Sequence, residues 1–214
     1  MNRYDIADQE VVPAQFLAFA LACALVLFSS LFPSAFSGIA YKLADAVFIT
    51  GCVLVAMKLA RKGWDLPAAG YTVLSIAWGV FFLAKDFRWL DVGNDIFASA
   101  FYFLLPSLGL IVFYHPFPRW LKAFTLLGFV PSLLELIILK SGRGGAYEDF
   151  IRTSGYRLIH LLSLTWGAFF YWQYRREVRQ ARRSGTGAAR WRWYQAENLL
   201  RRLGPTPAAG PIFQ

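Results

Sequence analysis

Residues 37–59 read SGIAYKLADAVFITGCVLVAMKL, a stretch that is apolar throughout except for Lys42, Asp45 and a lysine near its end. About 20 predominantly apolar residues are needed to cross the hydrocarbon core of a bilayer. Because a charge in hydrocarbon costs a few kcal/mol, such residues usually face a bundle interior or a water-filled cavity. This stretch therefore predicts a membrane helix that turns its charged face toward other helices.

Five further segments have similar length and apolar character. They run over residues 14–32, 67–84, 93–114, 119–139 and 155–174. The 214-residue chain is 57% hydrophobic and 16% charged, whereas about 25% of the residues in a soluble domain are charged. Connections are short except for residues 140–154, whose SGRGG run predicts a flexible loop. The sequence thus predicts an all-α, polytopic membrane protein, a six-helix transmembrane bundle.

The lysine and arginine residues indicate the orientation, because cytoplasmic loops are enriched in both. With the N-terminus inside, fifteen of the 22 basic residues lie on the inner side, nine of them arginines after Tyr174. We therefore expect both termini in the cytoplasm, and a location integral to a cell membrane such as a bacterial inner membrane. The predicted domains are a six-span transmembrane domain at 1–175 and a basic, aromatic cytoplasmic tail at 176–214.

The tail combines arginines with aromatic residues. We expect the sixth helix to continue to Arg183, the SGTG run at 184–187 to break it, and residues 188–203 to form another helix. A basic helix with Trp191 and Trp193 is typical of one that lies on an anionic leaflet. Membrane lipid head groups are its expected partners, and a protein partner is the alternative. No nucleic-acid partner is expected, because the sequence contains no recognisable nucleic-acid module.

This topology places eight ionisable residues in the outer half of the membrane. They are Lys42, Asp45, Lys85, Asp86, Asp95, Glu135, Arg157 and His160. At 1.5 Å of helical rise per residue, Asp45 lies about 12 Å below the outer end of its span and is the deepest of them. So many ionisable groups in one leaflet predict a polar cavity that opens to the outside.

Four of these residues are candidates for chemistry in that cavity. They are Asp45, Asp95, Glu135 and His160. Three carboxylates and an imidazole from different helices suit a divalent metal ion, a proton relay or general acid–base catalysis. The sequence indicates no other cofactor.

Each candidate also has a purely structural interpretation. Asp45 could pair with Lys42, which is three residues away on the same helix face. Glu135 could pair with Arg157 across two helices. Asp95 could favour the positive N-terminal end of its helix, and His160 could join two helices by a hydrogen bond.

Pro106 and Pro131 each precede a serine in the middle of a predicted span. A proline leaves the carbonyl four residues earlier without its helical donor, here those of Tyr102 and Leu127. Those carbonyls need partners inside the bundle. The prolines therefore predict either kinks that open a cavity or ordinary helix packing.

No HExxH, GxSxG or P-loop motif occurs, so function has to be inferred from the predicted cavity. The first hypothesis is an intramembrane enzyme that acts on a lipid or isoprenoid-like substrate by acid–base or metal-assisted chemistry. The 18% aromatic content could line an apolar pocket for such a molecule. The alternatives are a small proton-coupled transporter or channel, and a non-catalytic accessory or sensor subunit. An inner half with almost no polar residues in its spans counts against transport.

Overall fold

A computed structural model of the chain describes residues 3–31, 33–86, 93–141 and 146–183, and these residues are helical with no β-strand among them. The helices are α1 (Arg3–Leu27), α2 (Ser34–Arg61), α3 (Asp65–Asp86), α4 (Gly93–Val112), α5 (Arg119–Leu127), α6 (Phe129–Ser141) and α7 (Ala146–Arg183), with a 3-10 turn at Ser29–Leu31. The predicted all-α class is confirmed for this part of the chain.

Five segments of the described chain are long and apolar enough to cross a membrane. They are Glu10–Leu27, Phe36–Arg61, Asp65–Ala84, Asp95–Val112 and Arg119–Ser141. The sixth predicted span lies within α7, a longer helix of 38 residues that also contains the charged segment after Tyr174. These lengths and compositions indicate a helical membrane protein.

The connection between α2 and α3 shows why these two helices end where the sequence predicts. The amide of Trp64 donates to the carbonyl of Leu59, and that of Gly63 donates to Ala60. This pair of bonds is a Schellman motif, which requires a residue in the left-handed region just after the helix. Gly63 takes that position with a φ of 75°. Because the turn is so short, α2 and α3 are antiparallel neighbours.

Two predicted boundaries were wrong. α1 begins at Arg3 and contains Pro13, since a helix can bend around a proline instead of ending there. The predicted loop at 140–154 is helical over most of its length, because α6 extends to Ser141 and α7 begins at Ala146. No glycine or proline occurs between 146 and 154 to prevent a helix, and residues 142–145 lie outside the described part.

Neither proline ends its predicted span. α4 runs unbroken through Pro106, and the Ser107 hydroxyl donates to the Leu104 carbonyl at 2.6 Å. In the fifth span α5 and α6 meet at Gly128, which keeps right-handed helical dihedrals and donates its amide to Phe124 at 3.3 Å. A kink at either proline stays a prediction.

Aromatic side chains form much of the core. Trp78 of α3 stacks on Phe48 of α2 with ring centroids 4.4 Å apart. Tyr71, also on α3, meets the edge of Trp166 on α7 at 5.3 Å. The indole nitrogen of Trp166 in turn donates to the Thr125 hydroxyl of α5 at 3.0 Å. These contacts join four helices in one core, so many of the aromatic residues are packed inside the bundle.

The chain divides into two compact units. Asn2–Tyr171 form the first, which contains the five apolar segments, and Trp172–Gln214 belong to the second. In the second unit the guanidinium group of Arg176 lies 5.6 Å from the ring of Trp172. The expected continuation of the last helix to Arg183 is confirmed. Residues 184–214, with the predicted interfacial helix at 188–203, lie outside the described part.

Replacing Gly70 with alanine should destabilise the bundle. A Cβ at Gly70 would lie 2.9 Å from both the Cγ1 and the backbone nitrogen of Ile111 on α4, and such overpacking costs about 1–3 kcal/mol. Gly79 lies on the same helix, and a Cβ there would meet no atom within 4 Å. Gly79→Ala is therefore the matched control, and it should equal or exceed the parent stability because alanine favours helix. Thermal unfolding in one detergent measures both, and equal midpoints would contradict the close α3–α4 contact.

Candidate functional site

A partly open cavity of about 530 Å³ lies in the first unit, at the end of the bundle where α2, α4 and α7 begin and α3 and α6 end. Part of its lining is aromatic, with Tyr41, Trp78, Phe81, Phe97, Phe101 and Tyr156. Another part is polar, with Lys42, Ser132, Glu135, Arg152, Thr153 and Arg157. The cavity therefore joins an apolar surface to a charged one within a single space.

Asp45 is fully buried behind the aromatic part of this lining. Its Oδ1 atom accepts a hydrogen bond from the Tyr156 hydroxyl at 2.6 Å and another from the Trp78 indole nitrogen at 3.0 Å. Both donor residues line the cavity, whereas Asp45 lies behind their rings. Asp45, the most deeply placed acidic residue of the sequence analysis, is thus linked to the cavity by its hydrogen bonds with Tyr156 and Trp78.

His160 lies one helical turn beyond Tyr156 and is also fully buried. Its Nδ1 atom donates to the carbonyl oxygen of Tyr156 at 2.9 Å, an assignment that follows because a carbonyl can only accept. The imidazole packs among aromatic rings, with centroids 4.5 Å from Tyr156 and 5.1 Å from Phe48. His160 therefore packs against Tyr156, one of the two residues that donate to Asp45, and does not itself line the cavity.

Glu135 faces the cavity from α6 and forms an ion pair with Arg152 of α7. The Nε of Arg152 lies 2.9 Å from Oε1 of Glu135, and the two side chains are 21% and 6% exposed. The guanidinium carbon of Arg152 also lies 5.0 Å from the centre of the Phe97 ring. The partner expected for Glu135 was Arg157, which instead lines the cavity as an exposed residue.

Asp95 is separate from this site. It lies in the first turn of α4 with its side chain 82% exposed, and its Oδ1 is 3.6 Å from the Nζ of Lys140. Its position fits the alternative in which a carboxylate favours the positive end of a helix. Asp95 is not among the described residues that line this cavity, so the structure does not bring it together there with Glu135. The side chains of Lys85 and Asp86 lie outside the described part.

The structure gives the metal hypothesis no ligand set. Within the described residues, no three histidine, cysteine, aspartate or glutamate side chains come close enough together to hold one ion. Of the four candidates, Glu135 lines the cavity, Asp45 and His160 lie behind its wall, and Asp95 is elsewhere.

Sequence reasoning missed Arg152 and Tyr156, although a signal for both was present. Arg152, Tyr156 and His160 are spaced four residues apart, which places them on one face of a helix. That regularity was hidden because residues 140–154 were assigned to a loop. Trp78 offered no comparable signal, since a tryptophan in a membrane span packs against many kinds of neighbour.

The opposite half of the bundle is also more polar than the sequence analysis allowed. Gln15 on α1 and Tyr71 on α3 are fully buried. Neither the carboxamide of Gln15 nor the hydroxyl of Tyr71 has a hydrogen-bond partner among the described residues. Lys58 is buried there too, with its Nζ 4.7 Å from the centre of the Phe170 ring.

The chemistry that this arrangement offers is proton transfer beside a cationic surface. Tyr156 lines the cavity and its hydroxyl donates to the buried carboxyl group of Asp45, which makes it a candidate acid or base. Glu135 is a second protonatable group, and the neighbouring guanidinium of Arg152 fixes its position. Lys42 and Arg157 add positive charge to the same lining.

The comparisons with known proteins give no family for this fold and site. No protein-family model, curated protein or solved structure matches the chain.

Replacing Asp45 with leucine should destabilise the protein far more than replacing it with asparagine. Leucine removes the acceptor that Trp78 and Tyr156 share, and each buried donor left unsatisfied costs about 1–3 kcal/mol. Asparagine keeps an acceptor oxygen in the same place. Tyr156→Phe, which removes only one of the two bonds, should fall between them. Thermal unfolding midpoints in one detergent test this order, and equal losses for the leucine and asparagine variants would contradict it.

Proposed function

We propose that this chain is an intramembrane enzyme that binds a lipid or isoprenoid-like molecule in the cavity and acts on it by acid–base chemistry. In this proposal the six helices span a cell membrane, a bacterial inner membrane, and the cavity opens to its outer side. The observation that carries the proposal is the mixed lining of the cavity, which combines aromatic rings with charged groups.

The size and composition of the cavity support an amphiphilic ligand. Its volume of about 530 Å³ lies within the range of about 300–1,000 Å³ that is usual for small-molecule sites. Phe97, Phe101 and Leu104 are spaced along one face of α4, so they offer a continuous apolar strip that leads inward from the mouth. A ligand with a polar head and a hydrocarbon chain would match both parts of the lining at once.

The proposed chemistry uses Tyr156 and Glu135, because these protonatable side chains line the cavity. Asp45 accepts a hydrogen bond of 2.6 Å from the Tyr156 hydroxyl, so it positions Tyr156. His160 holds the backbone of the same helical turn through the Tyr156 carbonyl. Metal-assisted chemistry is not part of the proposal.

A proton-coupled carrier is the second candidate, and Gln15 and Tyr71 are the observation that favours it. Polar atoms buried without partners usually bind ordered water, and water at these residues would extend a polar path toward the inner side of the bundle. Liposomes that contain the protein under a pH gradient distinguish the two candidates. A carrier moves protons across the membrane, whereas the proposed enzyme does not.

The tail at 176–214 has a separate proposed role. Its arginines and tryptophans would hold it against the anionic lipids of the cytoplasmic leaflet, or against a protein partner on that side. The accessory-subunit hypothesis is compatible with a tail of this kind, but it offers no account of the charged cavity in the first unit.

Gly38→Trp should close the cavity and reduce lipid binding severalfold. Gly38 lines the cavity, and a Cβ built on it meets no atom within 4 Å, so a larger side chain can enter the open space. Gly38→Ala adds only one methyl group and is the matched control. Lipid extracted from each purified variant is quantified by mass spectrometry, and unfolding midpoints are measured on the same samples. Equal lipid content in a stably folded Gly38→Trp protein would contradict a lipid-binding cavity.

Tyr156→Phe should abolish conversion of the bound lipid while leaving its binding intact. Tyr156→Phe keeps the aromatic ring of the cavity wall and removes only the hydroxyl group. We expect it to retain the co-purifying lipid and to lose its conversion, which is followed by mass spectrometry of that lipid during incubation. Unchanged conversion would eliminate Tyr156 as the acid or base.

The proposed orientation predicts a labelling pattern in intact cells. Single cysteines at Ser34 and Gly144 should react with an impermeant thiol reagent from outside, and one at Ser184 should react only after the cells are opened. The natural Cys23 and Cys52 are buried and give little background. The reverse pattern would mean that the cavity opens to the cytoplasm. Positions 144 and 184 lie outside the described residues.

A further inference from the structure

Among the described residues that line the cavity, cationic side chains outnumber carboxylates. Lys42, Arg152 and Arg157 line it, and Glu135 is the one acidic residue in this described lining. Asp45 stands behind the wall, where its Oδ1 accepts hydrogen bonds from Trp78 and Tyr156. A ligand that enters the cavity therefore meets more cationic than anionic side chains in the described lining.

Arg152 stands where the charged part of the lining meets the aromatic part. Its Nε is fixed by Glu135 at 2.9 Å, and its guanidinium carbon lies 5.0 Å from the centre of the Phe97 ring. These two contacts hold the guanidinium group in one place. An anion bound by Arg152 would thus lie at the outer end of the apolar strip that begins at Phe97.

The apolar strip continues inward from that point. The Phe97 ring packs on Phe81 at 4.9 Å and on Phe101 at 5.7 Å. From Phe97 to Leu104 the strip extends about 10 Å at the rise of an α-helix. An anionic head at Arg152 would therefore place an attached hydrocarbon chain directly along these rings.

We infer that the ligand of this cavity is an amphiphile with a phosphate head group, held by Lys42, Arg152 and Arg157, with its chain lying along Phe97, Phe101 and Leu104. This inference rests on the proposed function, because it names the class of lipid or isoprenoid-like molecule. A phosphate monoester carries a charge between −1 and −2 near neutral pH, and the forked guanidinium group matches its oxygen atoms. A neutral alcohol with the same chain would offer these cationic side chains no negative charge to bind.

The test compares three ligands with the same chain and one without a chain. The full-length protein is placed in nanodiscs of zwitterionic phosphatidylcholine, and equilibrium binding of decyl phosphate, decanol, decyltrimethylammonium and inorganic phosphate is measured against empty nanodiscs. Decyl phosphate should bind at least about tenfold more tightly than decanol, a difference worth about 1.4 kcal/mol. Its binding should weaken as salt is added, because the head group is held by charge.

Two variants locate the head group. Arg157→Gln and Lys42→Gln should each weaken decyl phosphate about tenfold or more and leave decanol unchanged, since a hydrogen bond to a charged group is lost in each. Arg157 is exposed, so its replacement should not affect folding. Arg176→Gln removes an arginine of the second unit and should leave the binding of all four ligands unchanged.

The outcomes separate this inference from the proposed function. Equal binding of decanol and decyl phosphate, with no effect of either variant, would overturn the phosphate head group and leave the lipid-binding cavity intact. Tighter binding of decyltrimethylammonium would do the same. Inorganic phosphate that binds as tightly as decyl phosphate would identify the free ion as the ligand and overturn both. Absence of saturable binding by all four ligands would also overturn both.

Discussion

A buried carboxyl group at Asp45 connects α2 to its neighbour α3 and to α7, the last helix of the described chain. Tyr156 on α7 is 111 residues away and Trp78 on α3 is 33 residues away, yet both donate to the same oxygen atom. A carboxylate that leaves water for a protein interior loses a large solvation energy, which only well-placed donors can offset. The need to satisfy this one group therefore fixes how α2, α3 and α7 meet. The stacked rings of Phe48 and Trp78 and the imidazole of His160 complete the same region.

The cavity follows from that arrangement. Because Trp78 and Tyr156 are held by Asp45, their rings form a wall with a fixed position, and Phe81 and Phe97 extend it. Across the space, the Glu135–Arg152 ion pair ties α6 to α7. These two polar contacts differ in their exposure to the cavity. The hydrogen bonds of Asp45 are made by a fully buried residue and hold Trp78 and Tyr156 in place. The Glu135–Arg152 ion pair is part of the cavity lining.

Local properties of the sequence predicted the fold well and the site only in part. Apolar length gave the second, third and fourth spans within a few residues, and depth in its span singled out Asp45. What the sequence could not supply was the pairing across helices. The choice of Arg152 over Arg157 as the partner of Glu135 depends on how α7 is rotated against α6, and a single sequence carries no information on that rotation. Asp95 lies in the first turn of its helix, where its side chain is exposed and not enclosed by the bundle. Arg152 was missed because a glycine-rich run suggested a longer loop than exists.

Pro131 leaves a gap in the backbone hydrogen bonds of the fifth span, because it has no N–H to donate to the Leu127 carbonyl. α6, which begins beside that gap, carries both Ser132 and Glu135 of the cavity lining. It touches α7 where Pro131 lies 3.5 Å from the position of a Cβ on Gly155. The lining residues on α6 therefore stand on a more deformable backbone than Trp78 and Tyr156, whose side chains are both bonded to Asp45.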